Sequence, residues 1–503
     1  MVLIERPEAP VADPLALTGP DKGLGALLVQ DKLLTADQLI LAQNYVRTHR
    51  CDLRQAILEL NLIPTERLND LAFEHLAGLV GHVGGLAVGP PGTTTPLQPD
   101  RDRMERDVQG ELKALVARGT PVSELLDQII ARAIDGRATD IHIDPLVGHH
   151  RIRFRIDGHL HEILDIETPT GVALTTRIKV VSDLRVVERR HAQDGHWTVF
   201  YAGRRLTLRI STIPTANGER IVLRIHEALS LALGFSQLGL LPDQERHLRE
   251  LTSLSYGAIL VGGPVGAGKT TTLYCCMQHL NAPSRNLMTI EDPIEHRIVG
   301  ANQVGVDTQN GITFAEGLRA ILRQDPNVLM IGEIRDTETA KIGIQAALTG
   351  ILVFSTIHAA NTASTISTLF NYGIPGYILS GALRGILSPR LVRKICPYCR
   401  YSYPADPAEL AALKLDPDQH PSLTLHRGQG CKACFHTGYL GRTGVYEIMP
   451  VTDLIREMIL AQTTKEVLYQ IARDEGMMTL KESAIAKVLE GTTTIEEMHR
   501  VSL

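Results

Sequence analysis

The spacing of apolar positions changes character three times along the chain. Residues 21–80 carry apolar side chains at helical intervals, and the pattern occurs twice: LGALLVQDKLLTADQL from Leu24 lines up with LRQAILELNLIPTERL from Leu53. Each copy predicts a helix, a short turn and a second helix capped at Thr35 or Thr65, and Thr35 with Gln38 has capping-box spacing. Two such hairpins make a small all-α module. The Gly-, Pro- and Thr-rich stretch 81–104 predicts a linker. Residues 1–20 predict a disordered tail, and the acidic, proline-broken start MVLIERPEAPVADP is not the pattern of a signal peptide.

A second region, 105–228, opens on an amphipathic helix, PVSELLDQIIARAIDG, and then alternates apolar and polar residues in DIHIDP, RIRFRIDGHL, WTVFYAGRRLTLRIST and ERIVLRIH. Period-two alternation broken at Asp-Gly and Asn-Gly predicts antiparallel strands joined by hairpins. From about 229 to 503 the pattern becomes short apolar runs between helices: AILVGG, LMTIED, VLMIGE and LVFSTIH. Runs of this kind suit strands buried on both faces, so the expected class is an α/β sheet with functional groups at the strand C-terminal ends.

Composition narrows the function. With 503 residues, 44% hydrophobic and 21% charged, the chain has the make-up of a soluble protein of roughly three domains. No apolar run reaches bilayer-spanning length, so any membrane role is peripheral. A formal net charge of −5 argues against a general nucleic-acid binder. Residues 151–224 nevertheless hold thirteen Lys/Arg against eight Asp/Glu, an excess that needs a reason. Of seven cysteines, Cys51, Cys275 and Cys276 read as packing residues, and the remaining four form two CxxC pairs. A reducing, intracellular location fits that usage.

Three groups of residues point to chemistry. Gly263, Pro264, Val265, Gly266, Ala267, Gly268, Lys269 and Thr270, followed by Thr271, match GxxxxGK[ST] between an apolar strand and a helix-forming stretch. Glycines there let backbone N–H groups turn toward phosphate oxygens, Lys269 adds a cation for the β- and γ-phosphates of ATP, and Thr270 offers a hydroxyl to Mg²⁺. Downstream, TIEDPIEH sets Glu291, Asp292 and Glu295 around Pro293, which holds them on a turn. VLMIGE ends on Glu333, a candidate metal-side acid, and the next strand leads to Thr356 and His358. If the Glu291 and Glu333 strands flank the phosphate-loop strand, both acids point at the γ-phosphate. Glu295 and Glu333 are the first choices, with Glu291 and Asp292 as competitors. Finally, Cys396, Cys399, Cys431 and Cys434 suit a closed, structural Zn²⁺ site, the alternative being redox pairs.

Together these segments resemble the secretion ATPases of type II secretion and type IV pilus assembly. The residues that carry the match are GGPVGAGKTTTLY, TIEDPIEH, LRQDPNVLMIGEIRDTETA, TGILVFSTIHAANTA, CPYC…GCKACFHTGYLGRTGVYEI and GMMTLKESAIAKVLEG, with ATDIHIDP, RIRFRIDGHL, RIKVVSDLRVVERRHAQDGH and LTLRISTIPTANGERIVLRI upstream. The similarity is dense over 120–503. It implies a RecA-like P-loop motor over 229–503, with a zinc subdomain at 396–434 and C-terminal helices at 450–503, preceded by an arginine-bearing, PAS-like α+β domain at 105–228. It implies Glu295 as general base, Glu333 in the Walker B position, His358 near the γ-phosphate, and Arg209 and Arg224 as nucleotide-reaching arginines, so that the basic residues serve phosphate. It further implies a cytoplasmic homohexamer, peripherally associated with the inner membrane through a polytopic platform protein, with a membrane-anchored docking protein as a possible partner of the N-terminal module and no nucleic acid. The tetracysteine insertion and N-terminal module favour assembly or export over retraction. A RecA-like nucleic-acid or DNA-uptake motor stays open, although aromatics are only 4% and no basic run interleaves with them. A non-catalytic scaffold is the other alternative, and the retained Lys269, Thr270, Glu295 and Glu333 speak against it.

Overall fold

The computed structural model divides into two compact units, Met1–Leu97 and Gln98–Leu503. It describes residues 34, 35, 38–42, 45, 60, 62, 107–202, 204–227, 234–420 and 422–501. Most of the expected helical repeat, the tail, the linker 81–104 and Cys51 lie outside the described residues. Within the first unit the expected cap is formed reciprocally: the Thr35 N–H donates to Gln38 Oε1 (2.9 Å) and the Gln38 N–H to Thr35 Oγ1 (3.2 Å).

The second unit begins with helices α1 (Val108–Ala117) and α2 (Val122–Asp135). Leu125, Leu126, Ile129, Ile130 and Ala133 recur at helical spacing and bury one stripe of α2. Strands β1 (Ala138–Leu146), β2 (His149–Ile156), β3 (His159–Glu167), β4 (Gln193–Tyr201), β5 (Arg204–Thr215) and β6 (Gly218–Glu227) form one antiparallel sheet in the order β3-β2-β1-β6-β5-β4, with α3 (Thr168–Val181) after β3. Asp157 and Gly158, at φ +49° and +90°, make the tight β2–β3 turn that the Asp-Gly pair predicts.

Period two sorts β1 by face. Ile141 and Ile143 join Phe154, Leu208, Leu223 and the helices in the core, while Asp140, His142 and Asp144 face the other way. On that face the arginines find carboxylates: Arg153 and Arg220 on Asp144 (2.8 and 2.7 Å), Arg224 and Arg155 on Asp140 (2.9 and 3.4 Å), and Arg151 on Asp165 (2.9 Å). Arg151, Arg153, Arg155, Arg220 and Arg224 are thus paired within the sheet, because residues on neighbouring strands at one register height share a face.

The remainder is built on a seven-stranded sheet of β7 (Gly257–Gly262), β8 (Leu287–Glu291), β9 (Asn302–Gly305), β10 (Val328–Ile331), β11 (Leu352–Ile357), β12 (Leu383–Ile395) and β15 (Tyr439–Pro450). Their order is β15-β12-β7-β11-β10-β8-β9. All neighbours are parallel except β12 with β15. Helices α4 (Pro242–Thr252) and α5 (Lys269–Leu280) cover one face, and α6 (Phe314–Leu322), α7 (Thr337–Leu348), α8 (Thr362–Asn371) and α9 (Gly376–Ala382) the other. Coverage on both faces explains why β7, β8, β10 and β11 are buried at every position. One expectation fails. The strands flanking β7 are β11 and β12, and β10 and β8 lie beyond β11. Apolar runs specify burial but carry no information about neighbour order.

The small ladder β13 (Arg400–Pro404) with β14 (Thr424–Gly428) and helix α10 (Pro407–Ala412) branch off near the cysteines; α11 (Asp453–Leu460), α12 (Lys465–Asp474), α13 (Leu480–Leu489) and α14 (Ile495–Val501) close the unit. Among the described residues no helix is long and apolar enough to cross a membrane. The closing helix is fastened by Glu497, whose buried carboxylate takes the Arg393 N–H (2.8 Å), the Arg393 guanidinium (2.8 and 3.0 Å) and Arg500 (2.7 Å).

Burial alone would raise the Glu497 pKa, but the bonds from Arg500 and Arg393 outweigh it and hold the group at about 2, against an ordinary 4.5. A depressed carboxylate contributes stability above its unfolded pKa and loses it as the pH falls toward the folded one. Acid should therefore destabilise the fold between about pH 4.5 and pH 2, and Glu497→Gln should flatten that part of the profile. Denaturant midpoints measured across this range check it; parallel profiles for the two proteins would refute the assignment.

Candidate functional site

The phosphate-type loop joins β7 to α5. Gly266 and Gly268 sit at φ +75° and +96°, in the left-handed region that only glycine enters freely. Gly268 is the N-cap of α5, so the first amides of that helix, beginning at Lys269, lack intrahelical acceptors and face the loop. Lys269 Nζ bridges back to the carbonyls of Gly263 (2.8 Å) and Pro264 (2.9 Å). Burial lowers its pKa, an effect partly offset by Glu333 and reinforced by Arg390. Val265 projects outward at the loop apex, 87% exposed. Ala267 is buried beneath it, and Pro264 and Thr271 are exposed.

Backbone bonds stitch the neighbouring strand ends to this loop. Gly263 N–H donates to Ile357 O (3.1 Å), Ile334 N–H to Thr356 O (2.9 Å), Thr356 Oγ1 to Gly332 O (2.7 Å) and Gly332 N–H to Ile290 O (2.8 Å). Glu333, just beyond β10, and His358, just beyond β11, thereby meet, with His358 Nε2 3.5 Å from Glu333 Oε2. Burial opposes ionisation of Glu333, but Arg335, His358 and Lys269 together hold its pKa below the ordinary value. Arg335 bonds Glu333 directly and lies 3.6 Å from Asp292.

The acidic turn divides its labour. Glu291 is 3% exposed and accepts from the hydroxyls of Tyr274 and Thr289 (the latter at 2.6 Å) and from Gln303 Nε2 (3.0 Å). Gln303 also holds the Ile298 N–H (2.7 Å) and the His296 carbonyl (2.9 Å), and Tyr274 takes the His296 N–H (3.2 Å). Glu291 is thus the buried brace of the turn. Asp292 faces Arg335, and Glu295 is exposed, its charge felt by the Tyr274 hydroxyl.

Arg209 and Arg224 stand directly opposite one another on β5 and β6. Among the described residues neither bonds to the phosphate loop; Arg224 is held by Asp140. His226, two residues along β6 on the same face, is pushed down to about 4 by burial and by the charges of Arg209, Arg224 and His296. That places this corner of the antiparallel sheet within electrostatic reach of the acidic turn.

Sequence reasoning did not single out Arg335 or Arg390. Arg390 on β12 donates to Pro389 O (2.7 Å) and Ala360 O, and its guanidinium lies beside Gly263. Its nearness to the loop arises from β12 pairing with β7, for which the sequence holds no local signal.

Cys396, Cys399, Cys431 and Cys434 bring four Sγ atoms within 4.8 Å of one another, with contacts of 3.7–3.9 Å. A tetrahedral ion with Zn–S near 2.3 Å requires S···S separations of about 3.8 Å. Backbone N–H groups of Cys431 and Gly438 donate to Cys434 Sγ (3.1 and 3.3 Å) and that of Gly430 to Cys399 Sγ (3.3 Å), which suits thiolates. All four converge on one centre, the arrangement of a metal cluster and not of separate redox pairs.

Residues 117–500 match the family model described as type II/IV secretion system protein. Type II secretion system protein E of Pseudomonas aeruginosa is 43% identical over 382 residues, 76% of this chain and 76% of that protein. Type II secretion system ATPase E of Vibrio cholerae is 40% identical over 382 residues, 76% and 75% of the two chains. Among solved structures, the pilus retraction motor PilT with bound ADP aligns with a TM-score of 0.50 at 26% identity, covering 74% of this chain and 96% of that one. The architecture is that of the RecA-like P-loop motors.

The brace beneath the acidic turn is testable by itself. Tyr274→Phe removes one donor from a buried carboxylate and should destabilise the protein by about 1–3 kcal/mol. Equilibrium denaturation measures this, and a midpoint equal to the parent's would mean that Glu291 does not depend on the hydroxyl.

Proposed function

The chain belongs to the type II/IV secretion system protein family, and from that premise we propose that it hydrolyses ATP at the β7–α5 loop to drive export or pilus assembly. The protein is an ATP hydrolase of the secretion ATPase family. The observation that carries the site is the meeting of Lys269, Glu333 and His358 at the ends of three strands tied by backbone bonds.

In this reading the amides of Gly266 through Thr271 and the Lys269 ammonium bind the β- and γ-phosphates. Thr270 and Glu333 would hold Mg²⁺, which supplies charge neutralisation at the phosphates. Glu295, exposed and uncommitted to the brace, takes the proton of the water that attacks the γ-phosphorus, and ADP leaves. His358 reports the γ-phosphate to β11, and Arg209 and Arg224 reach the nucleotide when the antiparallel sheet closes on it. Arginine suits that last task because its planar fork grips phosphate oxygens and stays charged. The four cysteines hold one structural zinc. The domain division inferred from the sequence, the homohexamer, the inner-membrane platform partner, the N-terminal docking role and the peripheral cytoplasmic location belong to the same proposal. Type II secretion and type IV pilus assembly share this machinery. The identity to type II secretion proteins supports the former as the first system to test.

Lys269→Ala should abolish phosphate release and weaken nucleotide binding. Glu295→Gln should keep ATP bound yet lower turnover at least about a hundredfold, whereas Glu291→Gln should act on stability first. Phosphate release and nucleotide titration on the purified variants decide it; a dead Glu291→Gln beside a near-normal Glu295→Gln would reverse the assignment.

The metal is tested separately. Purified protein should carry about one zinc per chain, and Cys396→Ser with Cys431→Ser together should release it. Zinc retained by that double variant would contradict the site.

A further inference from the structure

The cysteine module touches more than its metal. Phe435 follows Cys434 directly and has φ +50°, a left-handed conformation that a bulky residue adopts only where its surroundings impose it. The knuckle imposes it, since Cys434 Sγ takes the N–H groups on both sides, from Cys431 and Gly438. The half-buried Phe435 ring is thereby turned away from its own module and packs against the core beneath the antiparallel sheet, which α1, α2 and β3 help to form. The ring lies 6.3 Å from that of His161. At Gly136, the end of α2, a Cβ would come within 2.9 Å of Phe435 Cζ, so only glycine admits the ring there.

A second contact stands next to the first. Asp157, in the β2–β3 turn, accepts the Gly441 N–H of β15 (2.8 Å) and pairs with Arg137 (3.3 Å). Ile156, Asp157 and His161 on one side meet Cys434, Thr437 and Tyr439 on the other around a void of only 10 Å³, about the least that holds a single water. The seam is lined largely by polar side chains, among them Arg137, Asp157, His161 and Arg393.

We propose that Phe435 and Asp157 are positioning residues: the cysteine knuckle, shaped by its metal, latches the antiparallel sheet onto the ATPase sheet and so sets where Arg209 and Arg224 stand. This rests on the reading that those arginines serve the nucleotide. The latch acts at the β2–β3 turn, whereas the arginines lie on β6 and β5, two and three strands beyond β2, across a sheet stiffened by the Asp140 and Asp144 ion pairs. Rotation about the knuckle would therefore be carried rigidly to the arginines.

The test uses the full chain with fluorophores installed through non-natural side chains at Val147 and Leu460, which are 85% and 57% exposed on the two sheets' own surroundings. Phe435→Ala and Asp157→Gly should keep their zinc and their ADP affinity, change the distance between the labels, and lower kcat tenfold to a hundredfold, the scale of a displaced catalytic partner. Asp157→Gly tolerates the turn's positive φ, so it removes the carboxylate's bonds to Gly441 and Arg137 without straining the turn. Phe435→Leu, which refills the core, should recover most of the distance and the rate. Chelating the zinc should shift the labels as Phe435→Ala does. Label distances equal to wild type in both Phe435→Ala and Asp157→Gly overturn the latch. A shifted distance with wild-type kcat overturns the positioning role, and Arg209→Ala measured alongside shows whether the arginine reading has failed instead. If Phe435→Ala sheds zinc, Asp157→Gly, which touches no cysteine, decides the matter.

Discussion

The candidate site depends on one run of backbone hydrogen bonds. From Gly263 to Ile357, from Ile334 to Thr356 and from Gly332 to Ile290, main-chain groups tie the C-terminal ends of β7, β11, β10 and β8 into a row. Parallel strands buried on both faces present charged side chains to solvent at their ends. Each strand places a candidate site residue just past its last apolar position: the glycine loop after β7, His358 after β11, Glu333 after β10 and the acidic turn after β8. A shift in any one register would part these groups by a full residue step.

Electrostatics in the two sheets serve opposite ends. In the antiparallel sheet, Arg153, Arg155, Arg220 and Arg224 meet Asp140 and Asp144 across neighbouring strands, so part of the positive charge counted along the sequence is internal structure. At the strand ends of the parallel sheet the charges are concentrated: Lys269, Arg335 and Arg390 surround Glu333 and the loop carbonyls. Partial burial there depresses the ionisation of Lys269 while the neighbouring cations favour that of Glu333. The charged form is thus favoured at Glu333 and opposed at Lys269, at a place where water screens charges less.

The acidic turn shows how one motif serves both stability and chemistry. Glu291 is consumed by Tyr274, Thr289 and Gln303, and that brace leaves Glu295 at the surface on a chain segment fixed at both ends. A rigid support under an exposed acid holds its position without spending its charge, which would suit the proton acceptor proposed for Glu295.

Much was legible in the sequence because it is local. GxxxxGK[ST] demands a strand, a curled loop and a helix in that order. Asp-Gly and Asn-Gly demand hairpins, Thr35 with Gln38 a reciprocal cap, and two CxxC turns four thiols at one centre; each forms as the residues require. Period and run length likewise separated the antiparallel sheet from the doubly covered one. The order of strands in the parallel sheet was not legible, since a run such as VLMI encodes burial on two faces but not the identity of its neighbours. For the same reason the sequence could not say that Arg390 comes beside the loop, that Glu291 is buried while Glu295 is exposed, or that Phe435 leaves its own module for another core. Those facts follow from which backbones pair and which surfaces meet across hundreds of residues, and only the tertiary structure decides them.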